Sequence, residues 1–336
     1  MNFKPLVEKL ELGKIIGNVV PLQGGTAHTT FKVETSSGNY AIKKINIHHP
    51  NFAVKKNFQE VYERSELIAG LMFKMQVPAV CSLSFDGEHV VQIAGDYFII
   101  YPYIEGYLLG EENMTANHAR SMGAVFALMH NADIQLLGQA HYHYSNDDYW
   151  EKLIRITGND SLRKLLPSII DWNRAYAATI PALNHELVMT HGDMHNRNVL
   201  WDAENKPHIV DWDDAAPMNP MVEVIGYALE CYRITFQKKV NLLFFETLIT
   251  SYFQNIKHSW QTTPKQAFSG CVGRILHRGD VNIRRMMGEV SSNDSEIAKG
   301  QILLEKLILP RMHFIQQNES NFIYLVEKTM KEAMRR

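Results

Sequence analysis

Residues 191–202 read HGDMHNRNVLWD: two histidines, two aspartates, two asparagines and one arginine between apolar runs. The histidines invite a zinc reading. A tetrahedral zinc site needs cysteine, histidine or carboxylate partners, and no nearby set completes one. The three cysteines, Cys81, Cys231 and Cys271, are far apart and form no CxxC pair. That leaves the oxygen-bearing side chains. Asp193 is followed five positions on by Asn198, and Asp211 lies thirteen beyond that. The β-type runs VLW and HIV flank them. They place a carboxylate, an amide and a second carboxylate at the mouths of paired strands, where the three can converge.

Such a set suits a hard divalent ion that takes oxygen ligands and keeps several waters, as Mg²⁺ does. Phosphoryl transfer from ATP asks a protein mainly for positioning and charge neutralisation. A kinase catalytic loop has an aspartate, four intervening residues, an asparagine ligand, and a metal-binding aspartate further on. Asp193, Asn198 and Asp211 follow that order. His191 is expected to pack or orient rather than to ligate.

The rest of the chain supplies a matching frame. Residues 18–47 read as a meander of three antiparallel strands around Gly24-Gly25 and the turn Ser36–Asn39. Helical spacing runs through 57–74. VPAVCSLSF (77–85) and DYFIIYPYI (96–104) read as two more strands around a turn at Asp86-Gly87. After Gly106 helices dominate: one capped by Thr115, others near 147–157, 167–180, 219–236, 240–257 and 296–335. The stretch at 290–296 reads as an exposed loop. The expected fold class is α+β and bilobal. An N-lobe at 1–104 carries an antiparallel sheet plus one helix, and a mainly helical C-lobe occupies 105–336.

HGDMHNRNVLWD…HIVDWDDA, together with YAIKK, QVPAV, IIYPYIEG and the helix ending ALMH, resembles the aminoglycoside phosphotransferase/choline kinase-like family, which has a protein-kinase-like fold. The resemblance covers most of the chain, though the last hundred residues match no particular member. It implies an ATP-dependent phosphotransferase acting on a hydroxyl of a small molecule. Asp193 would be the catalytic base, and Asn198 and Asp211 the Mg²⁺ ligands. Lys43 would meet the α/β-phosphates, with Lys44 as the alternative on the opposite strand face. Glu63 would be its ion-pair partner, with Glu60 and Glu66 one helical turn to either side. Gly24, Gly25 and Thr26 would cover the phosphates. Tyr101, Pro102, Tyr103 and Ile104 would form the hinge whose backbone meets adenine. Asp213 and Asp214 either shape this site or begin a loop.

Some features depart from the eukaryotic protein kinases. LQGGTAHTT is not G-x-G-x-x-G, DWD stands for DFG, Gly192 replaces the arginine of HRD, and no APE follows. A stress-response kinase of the same fold, phosphorylating protein Ser/Thr, also shares the motif. A nucleotide-binding regulatory module ranks last, because the whole triad is present.

The bulk numbers fit a soluble enzyme. The 336 residues carry a net charge of −2, 46% hydrophobic and 21% charged residues, which points neither to nucleic acid nor to an anionic membrane. The N-terminal segment lacks the apolar core of a signal peptide, and no apolar run approaches the ~18 residues of a spanning helix. The cytoplasm is the expected location. Residues 193–230 hold eight acidic against two basic side chains, which would favour a cationic acceptor. Residues 264–336 hold twelve basic against eight acidic, which would favour an anionic one or simply a solvated helix surface. Oligomeric state is not legible.

Overall fold

A short helix, α1 (Lys4–Lys9), precedes the meander, which folds as strands β1 (Val20–Pro21), β2 (Thr29–Thr35) and β3 (Gly38–Ile45). Helix α2 (Phe58–Lys74) follows, then β4 (Val90–Ile93) and β5 (Asp96–Pro102). These strands form one antiparallel sheet in the order β1-β2-β3-β5-β4. The computed structural model describes residues 2–22, 28–47, 57–110, 113–140, 142, 144–236 and 242–333, with backbone alone for 231–236.

Strand alternation splits β3 between two cores. Ile42 faces Phe3, Leu6, Val33, Phe98 and Ile100, so α1 closes the side of the sheet away from α2. Ile45 and Ile99 face Tyr62 of α2 and Val90. Lys43 therefore points to the α2 side. One expectation is corrected here. The segment 77–85 makes only isolated bridges, Ala79 to Ile209 and Phe85 to Glu88, and the fourth strand is Val90–Ile93. The turn expected at Asp86-Gly87 is present between Phe85 and Glu88, while β4 and β5 are joined at Ala94-Gly95, both at positive φ. Helix α2 buries Tyr62, Ser65, Glu66, Ala69 and Met72, while Leu67 and Phe73 face outward.

One compact unit comprises Met1–Asn113, Ala132–Leu137 and His191–Ala215. Beyond the five-stranded sheet it contains β6 (Tyr107–Leu108), β8 (Val199–Trp201) and β9 (Pro207–Ile209), paired in the order β6-β8-β9. Segment 77–80 adds a parallel contact: Val80 N–H donates to the Ile209 carbonyl, and Ile209 N–H to the Pro78 carbonyl.

The other unit comprises Met114–Asn131, Gly138–Thr190 and Ala216–Arg336. It holds α3 (Ala116–His130), α4 (Asp147–Thr157), α5 (Asp160–Leu183), the β7 (Val188–Thr190)–β10 (Ala216–Met218) pair, α6 (Pro220–Phe236), α7 (Leu242–Asn255) and α8 (Pro264–Met286). The run continues through α9 (Asp294–Leu303), a π-helical turn (Leu304–Ile308) and α10 (Leu309–Ala333). Helix α8 is not apparent from the sequence, because glycines 270, 273 and 279 interrupt its apolar stripe. Tertiary packing overrides propensity there. A Cβ on Gly270 would lie 2.5 Å from Val222, and one on Gly273 2.4 Å from the Tyr176 ring. The glycines let α8 approach α6 and α5 closely. No helix among the described residues is long and apolar enough to cross a membrane.

This unit has a buried polar chain. His130 Nε2 lies 2.9 Å from Glu223 Oε2, and His130 Nδ1 3.0 Å from the Tyr252 hydroxyl. Trp260 Nε1 donates to that hydroxyl at 2.9 Å. His130 and Glu223 are each 1% exposed. Replacing His130 with alanine removes a buried hydrogen-bond partner from both Glu223 and Tyr252, and leaving a buried polar group short of a partner costs about 1–3 kcal/mol. His130→Ala is expected to lower the chemical-denaturation midpoint accordingly. An unchanged midpoint would contradict it.

Candidate active site

The loop after β7 is ordered by one histidine. Asp193 N–H donates to His191 Nδ1 at 3.3 Å, so the other ring nitrogen, Nε2, donates to the Val210 carbonyl at 3.0 Å. His191 is fully buried, and its ring lies 4.8 Å from that of Trp212. Asn198 closes the loop twice. Its Nδ2 donates to the Asp193 carbonyl at 2.9 Å, and its own carbonyl accepts from Val210 N–H at 3.0 Å. The backbone of Asp193, the side chain of Asn198 and the residue before Asp211 are thus tied into one hydrogen-bonded body. His191, which the sequence suggests only as a packing or orienting residue, is its central strut.

Gly192 occupies the left-handed region at φ +81°, and a Cβ there would lie 1.9 Å from the Asp214 carbonyl oxygen. An arginine at this position, as in HRD, has no room. The loop and the Asp213-Asp214 turn pack backbone to backbone.

Strand β9 ends at Ile209, and Asp211 takes φ +65°. Asp211 and Asp213 therefore do not share a strand face, as a continued strand would require. Their carboxylates still meet at Lys43: its Nζ is 2.8 Å from Asp211 Oδ1 and 2.6 Å from Asp213 Oδ2. Burial would push the Lys43 ammonium down, but the charges of Asp213 and Asp211 outweigh it and raise it. Partial burial would likewise raise the Asp211 carboxyl, yet Lys43 holds it below the usual carboxylate range. Asp213 is the less exposed of the two. Burial and the Asp211 charge push it up to about 7 in spite of Lys43.

Lys44 points the other way and pairs with Asp96 at 2.6 Å. Of the two strand lysines, Lys43 is the one near Asp211.

The ion pair expected from Glu63 is not formed. The Glu63 carboxylate accepts the His89 amide at 2.9 and 3.0 Å and the Val90 amide at 2.6 Å. Helical phase is the reason. Glu63 is one residue, about 100°, round from Tyr62 and the buried stripe. Glu66 lies on that stripe and is 1% exposed. Burial pushes its carboxyl up, and Lys43 is among the charges drawing it back. Its partners are the Tyr101 hydroxyl and, at 3.3 Å, the Ser82 amide. Glu60 accepts from Asn57 at 3.0 Å at the helix start.

The hinge residues divide. Tyr101 stands opposite Ala41 on β3 with its hydroxyl turned to Glu66. Tyr103 N–H already donates to the Asn39 carbonyl at 2.9 Å, and Lys32 caps its ring at 4.5 Å. Tyr103 therefore offers no free amide to a base. Gly24, Gly25 and Thr26 lie outside the described residues.

Sequence reasoning missed His28. Asn46 N–H donates to its Nδ1 at 3.1 Å, so its Nε2 donates to the Tyr62 hydroxyl at 2.6 Å, within 3.9 Å of Asp213. No spacing marks it, because 28 and 62 meet only through the sheet-on-helix packing. His195 lies 3.4 Å from Asp193 through Nε2. Among the described residues no group of three or more histidine, cysteine, aspartate or glutamate side chains could hold a metal. One amide and one carboxylate fall outside such a group, and Mg²⁺ completes its shell with water and phosphate oxygens. Asn198 fits that description. Its Nδ2 is committed to Asp193, which leaves Oδ1 as its acceptor atom.

A model of the phosphotransferase enzyme family, APH, matches residues 18–256. Solved structures of low identity share the fold. A spectinomycin phosphotransferase, in complex with ADP and spectinomycin, aligns with a TM-score of 0.65 at 15% identity, over 97% of each chain. The Plasmodium vivax ethanolamine kinase aligns at 0.57 and 14%, over 88% of this chain and 82% of its own. A choline/ethanolamine kinase family protein from Mesorhizobium loti aligns at 0.55 and 16%, over 98% and 100%. A comparison with curated proteins finds no match. The architecture is thus protein-kinase-like, and the chain belongs to the phosphotransferase enzyme family.

Proposed function

We propose that the chain transfers the γ-phosphate of ATP to a hydroxyl of a small molecule. The observation that carries this is the Lys43–Asp211 contact beside a loop that His191 and Asn198 bond to Val210, the residue before Asp211. The neighbours add support. The spectinomycin enzyme holds ADP, an amicoumacin kinase holds AMP-PNP and Ca²⁺, and their acceptors are small molecules.

In this reading Asp193 orients the acceptor hydroxyl and takes its proton. Asn198 and Asp211 would hold Mg²⁺, which when bound neutralises phosphate charge. Lys43 contacts the α/β-phosphates. A peptide group of the 101–104 segment other than the Tyr103 amide meets the adenine. The His191 strut fixes the backbone that carries Asp193 relative to the one that carries Asp211, so the acceptor and the phosphates approach a preset frame.

The acceptor's charge is not written in the local composition. In the acidic window, Glu223 is paired with His130, Glu230 with Arg311 and Arg278, and Asp202 with His208. In the basic tail, Arg285 is paired with Glu296, and Arg284 with Asp280 and Glu289. Much of both surpluses is internally satisfied.

The test is an ATP-consumption screen over aminoglycosides, amino alcohols, amino acids and sugars, with a no-acceptor control. Acceptor-dependent ADP release with a phosphorylated product is the expected result. ADP release that is independent of every acceptor, with label appearing on protein, would overturn the small-molecule reading.

A further inference from the structure

Lys43 has two carboxylate partners at similar distances, and the proposed function, on which this inference rests, calls one of them away. Asp211 meets the ammonium through Oδ1, so Mg²⁺ and Lys43 would draw charge from one carboxylate. The phosphates would supply part of the ammonium's counter-charge, and a second carboxylate would hold it where they meet it.

The glutamates of α2 are engaged elsewhere: Glu60 with Asn57, Glu63 with two backbone amides, Glu66 with Tyr101 and Ser82. Asp96 belongs to Lys44. Among the described residues, the carboxylates within ion-pair distance of Lys43 are those of Asp211 and Asp213. Asp213 is held in place independently of Lys43. Its carbonyl accepts from Ser65 Oγ at 3.3 Å, and the next carbonyl is packed against Gly192. Its Oδ1 is buried with no hydrogen-bond partner, so the side chain's bonding is directed through Oδ2 to Lys43.

We infer that Asp213 is a positioning residue that retains the Lys43 ammonium when Asp211 is given over to the metal, a duty that the α2 glutamates do not perform here. Without Asp213, Lys43 would remain on Asp211 and compete with Mg²⁺ for it.

The test is calorimetric titration of ADP into metal-free protein, then of Mg²⁺ into the ADP-loaded protein. The variants are Asp213→Asn, Glu66→Gln, Lys43→Met and the Lys43→Met/Asp213→Asn double, each checked for folding by circular dichroism. Asp213→Asn is expected to weaken Mg²⁺ binding roughly tenfold or more, the scale of one charge-assisted hydrogen bond. Glu66→Gln is expected to stay within about threefold, below the scale of such a bond. In the Lys43→Met background Asp213→Asn should have no further effect, because no competing ammonium remains. Equal weakening in both backgrounds would overturn the inference, since Asp213 would then act on the metal directly. Native Mg²⁺ binding in Asp213→Asn, or the larger loss in Glu66→Gln, would also overturn it. If Asp213→Asn does not fold, Asp213→Ser carries the same comparison. A native chain that binds neither ADP nor Mg²⁺ would overturn the proposed function itself, an outcome distinct from all of these.

Discussion

Asp193→Asn is expected to lower kcat by about 10²–10⁴-fold while leaving nucleotide affinity nearly unchanged. The amide keeps the shape of the side chain and can still touch an acceptor hydroxyl, but it cannot take the proton. The hydrogen bonds that tie Asp193 to His191 and Asn198 use its backbone rather than that carboxylate. Asp193 contributes its backbone carbonyl to Asn198 and its backbone N–H to His191, and both survive the substitution. The loss should therefore fall on turnover alone. Single-turnover kinetics with a productive acceptor, beside calorimetric titration of ADP, separates the two effects. Full activity in Asp193→Asn would sink the assignment.

Gly192→Ala is expected to be the most damaging conservative change in the loop. An alanine at φ +81° costs about 1–2 kcal/mol for its backbone conformation. Its Cβ would also start 1.9 Å from a backbone oxygen of Asp214, which cannot rotate away as a side chain could. Overpacking of this kind typically adds about 1–3 kcal/mol. The unfolding free energy should drop by roughly 3 kcal/mol, or the loop should shift and take turnover with it. A variant with native stability and native kcat would show that the close approach is relaxed in solution.

What could be read from the sequence was what lies in local spacing. The five-residue step from Asp193 to Asn198, the strand-end Asp211 and the alternation at Lys43 are one-dimensional signals, and Lys43 and Asp211 do meet. What depended on rotation or on distant contact was hidden. The choice among Glu60, Glu63 and Glu66 turns on about 100° of helical phase per residue, which the scattered apolar positions of α2 do not fix. Leu67 and Phe73 point outward and blur the pattern. Helix α8 was hidden because its glycines serve neighbours from α5 and α6, far away in sequence. Strand β4 is four residues long, and a stronger-looking run at 77–85 outcompeted it. The meeting of Asp213 with Lys43 arises from a left-handed residue at 211, which a strand-alternation argument cannot anticipate.

The buried chain from Glu223 through His130 and Tyr252 to Trp260 joins α6, the end of α3, α7 and the segment before α8. Each of its members is useful only beside the others. Recombination between this chain and a relative of about 15% identity would separate them at any crossover point between 130 and 260. A crossover between 130 and 223 would set His130 against whatever residue the relative carries in place of Glu223. Chimeras that exchange acceptor specificity should therefore carry residues 130–260 as one inherited block.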